Sequence, residues 1–295
     1  MTESTYVLVT SAFNEEQYLE RTIQSVIAQT LLPMRWVIVS DGSTDGTDSL
    51  IRRYEQQHDF IVYHRIDHTA DEPRPKFGFV AQRKANAISR AVELLSPLPY
   101  QYIANLDGDI SFGPNVFEEL MIRFQEQPRL GIAGGFIYNV VNRKLVPHFT
   151  KPENVAGALQ TFRRECFEDI GGYVSYGHED TIACFTAKMR GWEVRSFPHL
   201  TIEHHKVGNC SGWRRGRAKH VLGAYDYLHG DILVWELLRC AKETSEAPYV
   251  VGSCLRLAGY LKAMITQQKL LSRDFYRFVR AEQYRKLARA VLGRR

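Results

Sequence analysis

A chain of 295 residues is long enough for one large domain, or for one domain with an appendage. With 44% hydrophobic and 12% aromatic residues and no low-complexity segment, it reads as globular with a sizeable core rather than disordered or fibrous. The net charge of +5 is uneven: residues 256–295 hold 11 Lys and Arg against 2 Asp and Glu, so a mildly acidic body carries a strongly basic tail suited to an anionic contact.

In chain order, residues 5–13 read as a strand. A helix follows with Tyr18, Leu19, Ile23, Val26 and Ile27 on one face. Residues 35–42 and 60–66 read as the next strands, with a helix carrying Leu50, Ile51 and Tyr54 between them. After a loop whose prolines forbid a ladder, Ala81, Ala85, Ile88, Val92 and Leu95 keep helical register. Residues 100–106 form a fourth strand, a helix with Val116, Phe117, Leu120, Met121 and Phe124 follows, and residues 130–137 form a fifth strand. This alternation implies α/β architecture: a mostly parallel central sheet flanked by helices. Beyond residue 138 the order changes, with a helix at 178–192 and two strands, 193–197 and 200–205, split by Pro198. From about residue 212 the chain is helical and basic.

No secretory signal is read at the N-terminus. The most apolar stretch, residues 247–265, is interrupted by Arg256 and Lys262, which argues against a spanning helix. Cys166, Cys184, Cys210, Cys240 and Cys254 are scattered without a C-x-x-C pair, which fits core positions in a reducing cytoplasm.

In open α/β sheets, ligands sit beyond the carboxyl ends of the strands. Three polar clusters fall there: Asn14-Glu15-Glu16, Asp41-Gly42-Ser43 and Asp107-Gly108-Asp109. Two aspartates around a glycine can share a hard divalent cation, Mn²⁺ or Mg²⁺; the bland alternative is a solvated turn capping the next helix. A haloacid-dehalogenase reading is set aside because that motif follows a first strand, not a fourth. No G-x-G-x-x-G or P-loop occurs.

The stretches "TSAFNEEQYLERTIQSVIAQT", "WVIVSDGSTDGT", "ANLDGDI" and "GHEDTIACFTAKMRGWEV", in this order, resemble the inverting family 2 glycosyltransferases with the GT-A fold. The resemblance spans about residues 5–205 and implies a catalytic domain over 1–211, with a nucleotide-sugar half to about 110 and an acceptor half from about 111, then a basic helical C-terminal extension over 212–295. It implies that Asn14, Glu15 and Asp41 serve the nucleotide base and that Arg83 and Lys84 lie near the ribose or diphosphate. Asp107 would bind the ribose and Asp109 the metal, with Ser11, Ala12 and Gly108 also at the nucleotide sugar. Glu179-Asp180 matches the catalytic-base motif, and His204 or His205 would add a metal ligand, His204 being the choice made here. Arg214, Arg215 and Arg217 are candidates for phosphate or acceptor contacts.

The family's common proline after the first strand is replaced around Ser11-Ala12-Phe13, and the Q-x-x-R-W of processive synthases is only approached by Gln283–Leu287. Transfer of a single sugar, from a UDP-, GDP- or dTDP-linked donor to a glycan or polyprenyl-linked acceptor, is therefore expected. The tail is read as amphipathic, packed on the catalytic domain or lying on the inner face of a membrane. Nucleic-acid binding is not expected, given the acidic body. The alternatives are a catalytically silent scaffold subunit and a nucleotidyltransferase, which would need a basic loop after the first strand.

Overall fold

Four of the five expected apolar strands become a parallel block. These are β1 (Tyr6–Ala12), β2 (Arg35–Asp41), β3 (Ile61–Ile66) and β4 (Tyr102–Leu106), paired in the order β3-β2-β1-β4. Helices α1 (Leu19–Ile27), α2 (Thr47–Glu55) and α3 (Phe79–Leu95) make the crossovers that parallel pairing requires. The computed structural model describes residues 4–68, 79–175, 177–206, 213–245, 247–266 and 269–293, without the side chains of 79–82, 213–215 and 291. Two units divide the chain, Met1–Val207 and Gly208–Arg295.

The rest of the first unit comprises β5 (Ile110–Phe112), α4 (Val116–Glu126), β6 (Leu130–Val141), β7 (Lys144–Phe149), β8 (Leu159–Arg163), α5 (Arg164–Asp169), α6 (Glu179–Met189) and β9 (Glu193–His204). The sheet continues β4-β8-β6-β9-β5, so it is mixed. β8 is antiparallel to both β4 and β6, because β6 turns back through the β7 hairpin and no crossover helix intervenes. The hairpin turn is Asn142–Arg143, both at positive φ (50° and 62°), as a two-residue turn between twisted strands demands. Pro198 does not split two strands. β9 runs through it by a bulge, its partners stepping from Gly135–Phe197 to Phe136–Thr201. A proline without an N–H is tolerated there, and a Cβ on Gly135 would lie 2.4 Å from the Leu200 carbonyl oxygen.

The order of strands also bends the sheet. Four inter-strand gaps separate β4 from β5, about 19 Å if flat. The chain from Leu106 to Ile110 reaches only about 14 Å. Asp107-Gly108-Asp109 therefore bridges two edges of a sheet that curls into a half-barrel. Two apolar cores flank it, one including Tyr6, Trp36 and Phe117 and the other Val37, Ile103 and Phe162.

In the second unit are α7 (Trp213–Leu228), α8 (Leu233–Glu243), α9 (Tyr249–Thr266) and α10 (Arg273–Leu292). Among the described residues no helix is long and apolar enough to cross a membrane. Arg256, expected to interrupt an apolar helix, is 7% exposed and bonds Asp226 (2.6 Å), Glu243 (2.8 Å) and Glu236 (3.5 Å). Removing one member of such a buried network strands the others' charge. Arg256→Ala is expected to cost about 3–5 kcal/mol in urea unfolding, and a loss within error of zero would show that water replaces the guanidinium. Cys166, Cys184 and Cys240 are buried as expected, Cys254 is exposed, and Cys210 lies outside the described residues.

Candidate active site

The site grows from the ends of β1, β2 and β4 and the start of β5. After β1, Asn14 takes a positive φ (53°) and turns its side chain to the β2–α2 turn, where Oδ1 accepts from Thr44 N (2.8 Å). Its neighbour Glu15 points the other way, into a cleft of about 380 Å³ lined by Ser11, Phe13, Glu15, Asp41, Arg83, Lys84, Asp107, Gly108, Asp109 and Lys206. Asn14 and the fully buried Ala12 do not line this cleft; they hold the loop and the core.

At the β2 end of the cleft, both oxygens of the Asp41 carboxylate are engaged. His68 Nε2 lies 2.5 Å from Oδ1 and Arg83 Nε donates to Oδ2 at 2.8 Å. The Arg83 guanidinium lies 5.0 Å from the centre of the Phe13 ring, which is 48% exposed and offers a flat apolar surface to a base. Toward the β4 end, Lys206 Nζ reaches Glu15 Oε1 at 2.5 Å. Burial raises the Glu15 pKa, Lys206 opposing it.

Asp107 and Asp109 diverge because one ends β4 and the other opens β5. Asp107 Oδ1 accepts from Lys84 Nζ at 2.8 Å. Asp109 is 9% exposed; its Oδ2 lies 3.3 Å from His204 Nε2, while its Oδ1 is buried without a hydrogen-bond partner. Register explains the histidine. β9 places His204 opposite Ile110 on one side and Asn139 on the other, and Asn139 Oδ1 lies 2.9 Å from His204 Nδ1. The hydrogen bond to Asp109 raises the His204 pKa. His205 points away: its ring bonds Ser111 Oγ (2.7 Å) and Arg21 (3.2 Å), and burial lowers its pKa. Strand alternation forces this choice between adjacent residues.

A second cleft of about 400 Å³ shares Lys84 and Asp107 with the first and extends to His148, Phe149, Gly157, His178, Glu179, Asp180 and His204. α6 supplies the carboxylates, entered through Gly177 (φ 85°) and His178 (φ 52°). Asp180 is fixed by backbone N–H groups, with Oδ2 accepting from Gly157 (2.9 Å) and Oδ1 from Thr181 (2.7 Å). Glu179 is 9% exposed and 3.6 Å from Lys84 Nζ; burial raises its pKa, Lys84 working against that.

Arg217 is exposed on α7 in the second unit, and the side chains of Arg214 and Arg215 lie outside the described residues. Sequence reasoning missed Phe13, Lys206 and His148 as lining residues, and His68 as a partner of Asp41. His148, on β7, stacks on His204 (6.0 Å between centroids, 12° between planes). Only Phe13, an apolar side chain directly after a strand, carried a local signal.

The carboxylate and imidazole donors fit a hard or borderline divalent cation, and the two buried, unpartnered carboxylate oxygens, Asp109 Oδ1 and Glu15 Oε2, are the kind of group such an ion satisfies.

Among curated proteins, the chain is 23% identical over 208 residues to the poly-beta-1,6-N-acetyl-D-glucosamine synthase of Staphylococcus aureus (strain COL), covering 64% of this chain and 47% of that protein. It thus spans about half the length of such relatives. Solved structures with a similar fold include the mannosyltransferase PcManGT from Pyrobaculum calidifontis in complex with GDP-Man and Mn²⁺ (TM-score 0.60, 16% identity, 90% of this chain and 89% of that one). Staphylococcus aureus TarS residues 1–349 in complex with UDP is another (TM-score 0.54, 13% identity, 82% and 72%). They share the GT-A architecture of curled sheet and flanking helices. A glycosyl transferase family 2 model matches residues 7–190, well over half of the chain, so the chain belongs to that family.

Proposed function

We propose that the protein is a glycosyltransferase that moves one sugar, with inversion, from a nucleotide-diphosphate donor to a hydroxyl of a glycan or lipid-carried acceptor in cell-surface polysaccharide assembly. The observation that carries the reading is the meeting of two clefts at Lys84 and Asp107. The first cleft takes the nucleotide, with the base over Phe13 beside Arg83 and Asp41. The second takes the acceptor.

Asp180 is the base. It accepts the acceptor hydroxyl proton as that oxygen bonds to the anomeric carbon and the bond to the diphosphate breaks on the opposite face. Two backbone N–H groups fix its carboxylate in orientation. Glu179, buried behind it, positions Lys84 between the clefts. Asp109 and His204 would hold Mn²⁺ or Mg²⁺ together with diphosphate oxygens, the ion when bound supplying Lewis-acid stabilisation of the leaving diphosphate, while Asp107 stays with Lys84. Single transfer draws support from Gln283. In the segment nearest to Q-x-x-R-W, its side chain accepts from Ile232 N (2.9 Å) and donates to Asp231 within the second unit. The three buried cysteines, all unpaired, suit a cytoplasmic setting.

A thermal-shift panel of UDP, GDP and dTDP, with and without Mn²⁺, tests the donor half. One diphosphate should stabilise the protein only with metal. No shift under any condition would favour a silent scaffold instead.

Glu179 must be ionised to hold Lys84. Because burial raises its pKa, its charge is lost on acidification at a higher pH than for an ordinary glutamate. The acid limb of kcat/KM is expected correspondingly high, and Glu179→Gln should lower activity and move that limb to lower pH, leaving the limb that the base itself requires. An unchanged limb in the variant would assign it to another group.

A further inference from the structure

Helices α8 and α9 expose an apolar face that the core of their own unit does not use. They pack antiparallel. The Tyr260 hydroxyl donates to the Asp231 carbonyl near the start of α8 (2.7 Å), and Ser253 Oγ donates to the Cys240 carbonyl near its end (2.8 Å). Away from that seam α8 presents Leu233, Val234, Leu237 and Leu238, between 40% and 55% exposed. Their spacing puts all four on one stripe of the helix. α9 adds Val250 and Val251, at 59% and 63%.

Among the described residues of α8 and α9, the exposed charges have one sign. The only acidic residues of the two helices are withdrawn: Glu236 is fully buried beside Arg239 and Arg256, and Glu243 is paired with Lys219 and Arg256. Lys242 and Lys262 remain exposed. The unit from Gly208 to Arg295 holds 17 Lys and Arg against 7 Asp and Glu. The tail helix turns its first half inward, with Phe275, Tyr276 and Val279 at most 4% exposed, and its outward apolar side chains among the described residues, Tyr284 at 59% and Leu292 at 70%, stand about two turns apart.

We propose that the exposed leucine and valine face of α8 and α9 docks the protein on an anionic lipid surface. A bilayer interface of that kind accepts apolar side chains at the acyl boundary and cations at the headgroups. A second copy of the chain would set two basic units against each other, which like-charge repulsion opposes. This inference goes beyond the transfer reaction and does not depend on the donor-site reading.

The test is flotation of the full chain with vesicles of phosphatidylcholine containing phosphatidylglycerol, compared with pure phosphatidylcholine. Binding is expected only to the anionic vesicles. The double variant Leu237→Gln and Leu238→Gln should lose about tenfold or more, since each leucine has about half of its burial still to gain and the two together contribute about one to two such factors. An unchanged melting temperature checks that the half-exposed sites tolerate the change. Should that variant unfold, Val250→Gln with Val251→Gln serves in its place with the same expected loss. Three results would overturn the proposal: binding to neither vesicle, binding kept by the apolar variants but lost when exposed α10 arginines become Gln, or a dimer in solution that the leucine variant dissolves.

Discussion

Asp180→Asn is expected to lower kcat by about 10²–10⁴-fold while donor binding survives. The amide cannot take the acceptor proton, yet its oxygen can still accept the Gly157 N–H that now holds Oδ2 at 2.9 Å. Single-turnover transfer reads the loss, and the thermal shift produced by the donor diphosphate with metal reads the intact nucleotide cleft. The two readouts separate because Asp180 lines only the second cleft. Activity within roughly tenfold of the parent would exclude Asp180 as the base and move the role to Glu179. The buried glutamate is the weaker candidate on geometry, because Lys84 already occupies it at 3.6 Å.

The second large effect concerns the cation. Asp109→Asn is expected to abolish the stabilisation by nucleoside diphosphate with Mn²⁺, worth about 2.7 kcal/mol at a ligand concentration a hundred times Kd. Its sign on the ligand-free protein is the sharper part. Asp109 Oδ1 is buried without a partner, and a buried unpaired carboxylate oxygen costs stability until an ion satisfies it. The metal-free variant should therefore melt no lower than the parent. A variant that keeps the metal-dependent shift would remove Asp109 from the site, and one that melts well below the parent without metal would make the residue structural.

How much of this could be read in advance differs from one element to the next. The β-α alternation through residue 106 was legible because each strand is a short apolar run and each helix an amphipathic one, whereas the three-residue β5 was too short to be read. Those signals are local. β8 and β9 were harder. The antiparallel placement of β8 between β4 and β6 depends on pairings more than 20 residues apart in sequence, and Pro198 looked like a break until Gly135 made room for a bulge. The tail helix was expected as amphipathic, but which side chains it buries came only from packing: Tyr284 faces out, and Gln283 is 5% exposed, bonded to α8's entry.

The site divides in the same way. Asp41, Asp107, Asp109 and Asp180 were each visible as a carboxylate at a strand end or helix start. Nothing local told His204 from His205, and the answer came from the register of β9 against β5, which turns one ring to Asp109 and the other to Ser111. Lys84 was placed near phosphates by resemblance, but its position between Asp107 and Glu179 needs α3 and α6 on one side of the curled sheet. Asn14 was assigned to a ligand, and its side chain clamps a turn instead.

Order and composition along the chain thus determined the α/β class, the family and the carboxylates, because strand ends and helix starts are properties of short segments. Which side chains meet was decided only by the tertiary structure. Sheet curvature, strand register and burial depend on contacts between residues far apart in sequence. Those contacts alone bring His148 onto His204, set Lys84 between two clefts and leave the α8 leucines outside the core.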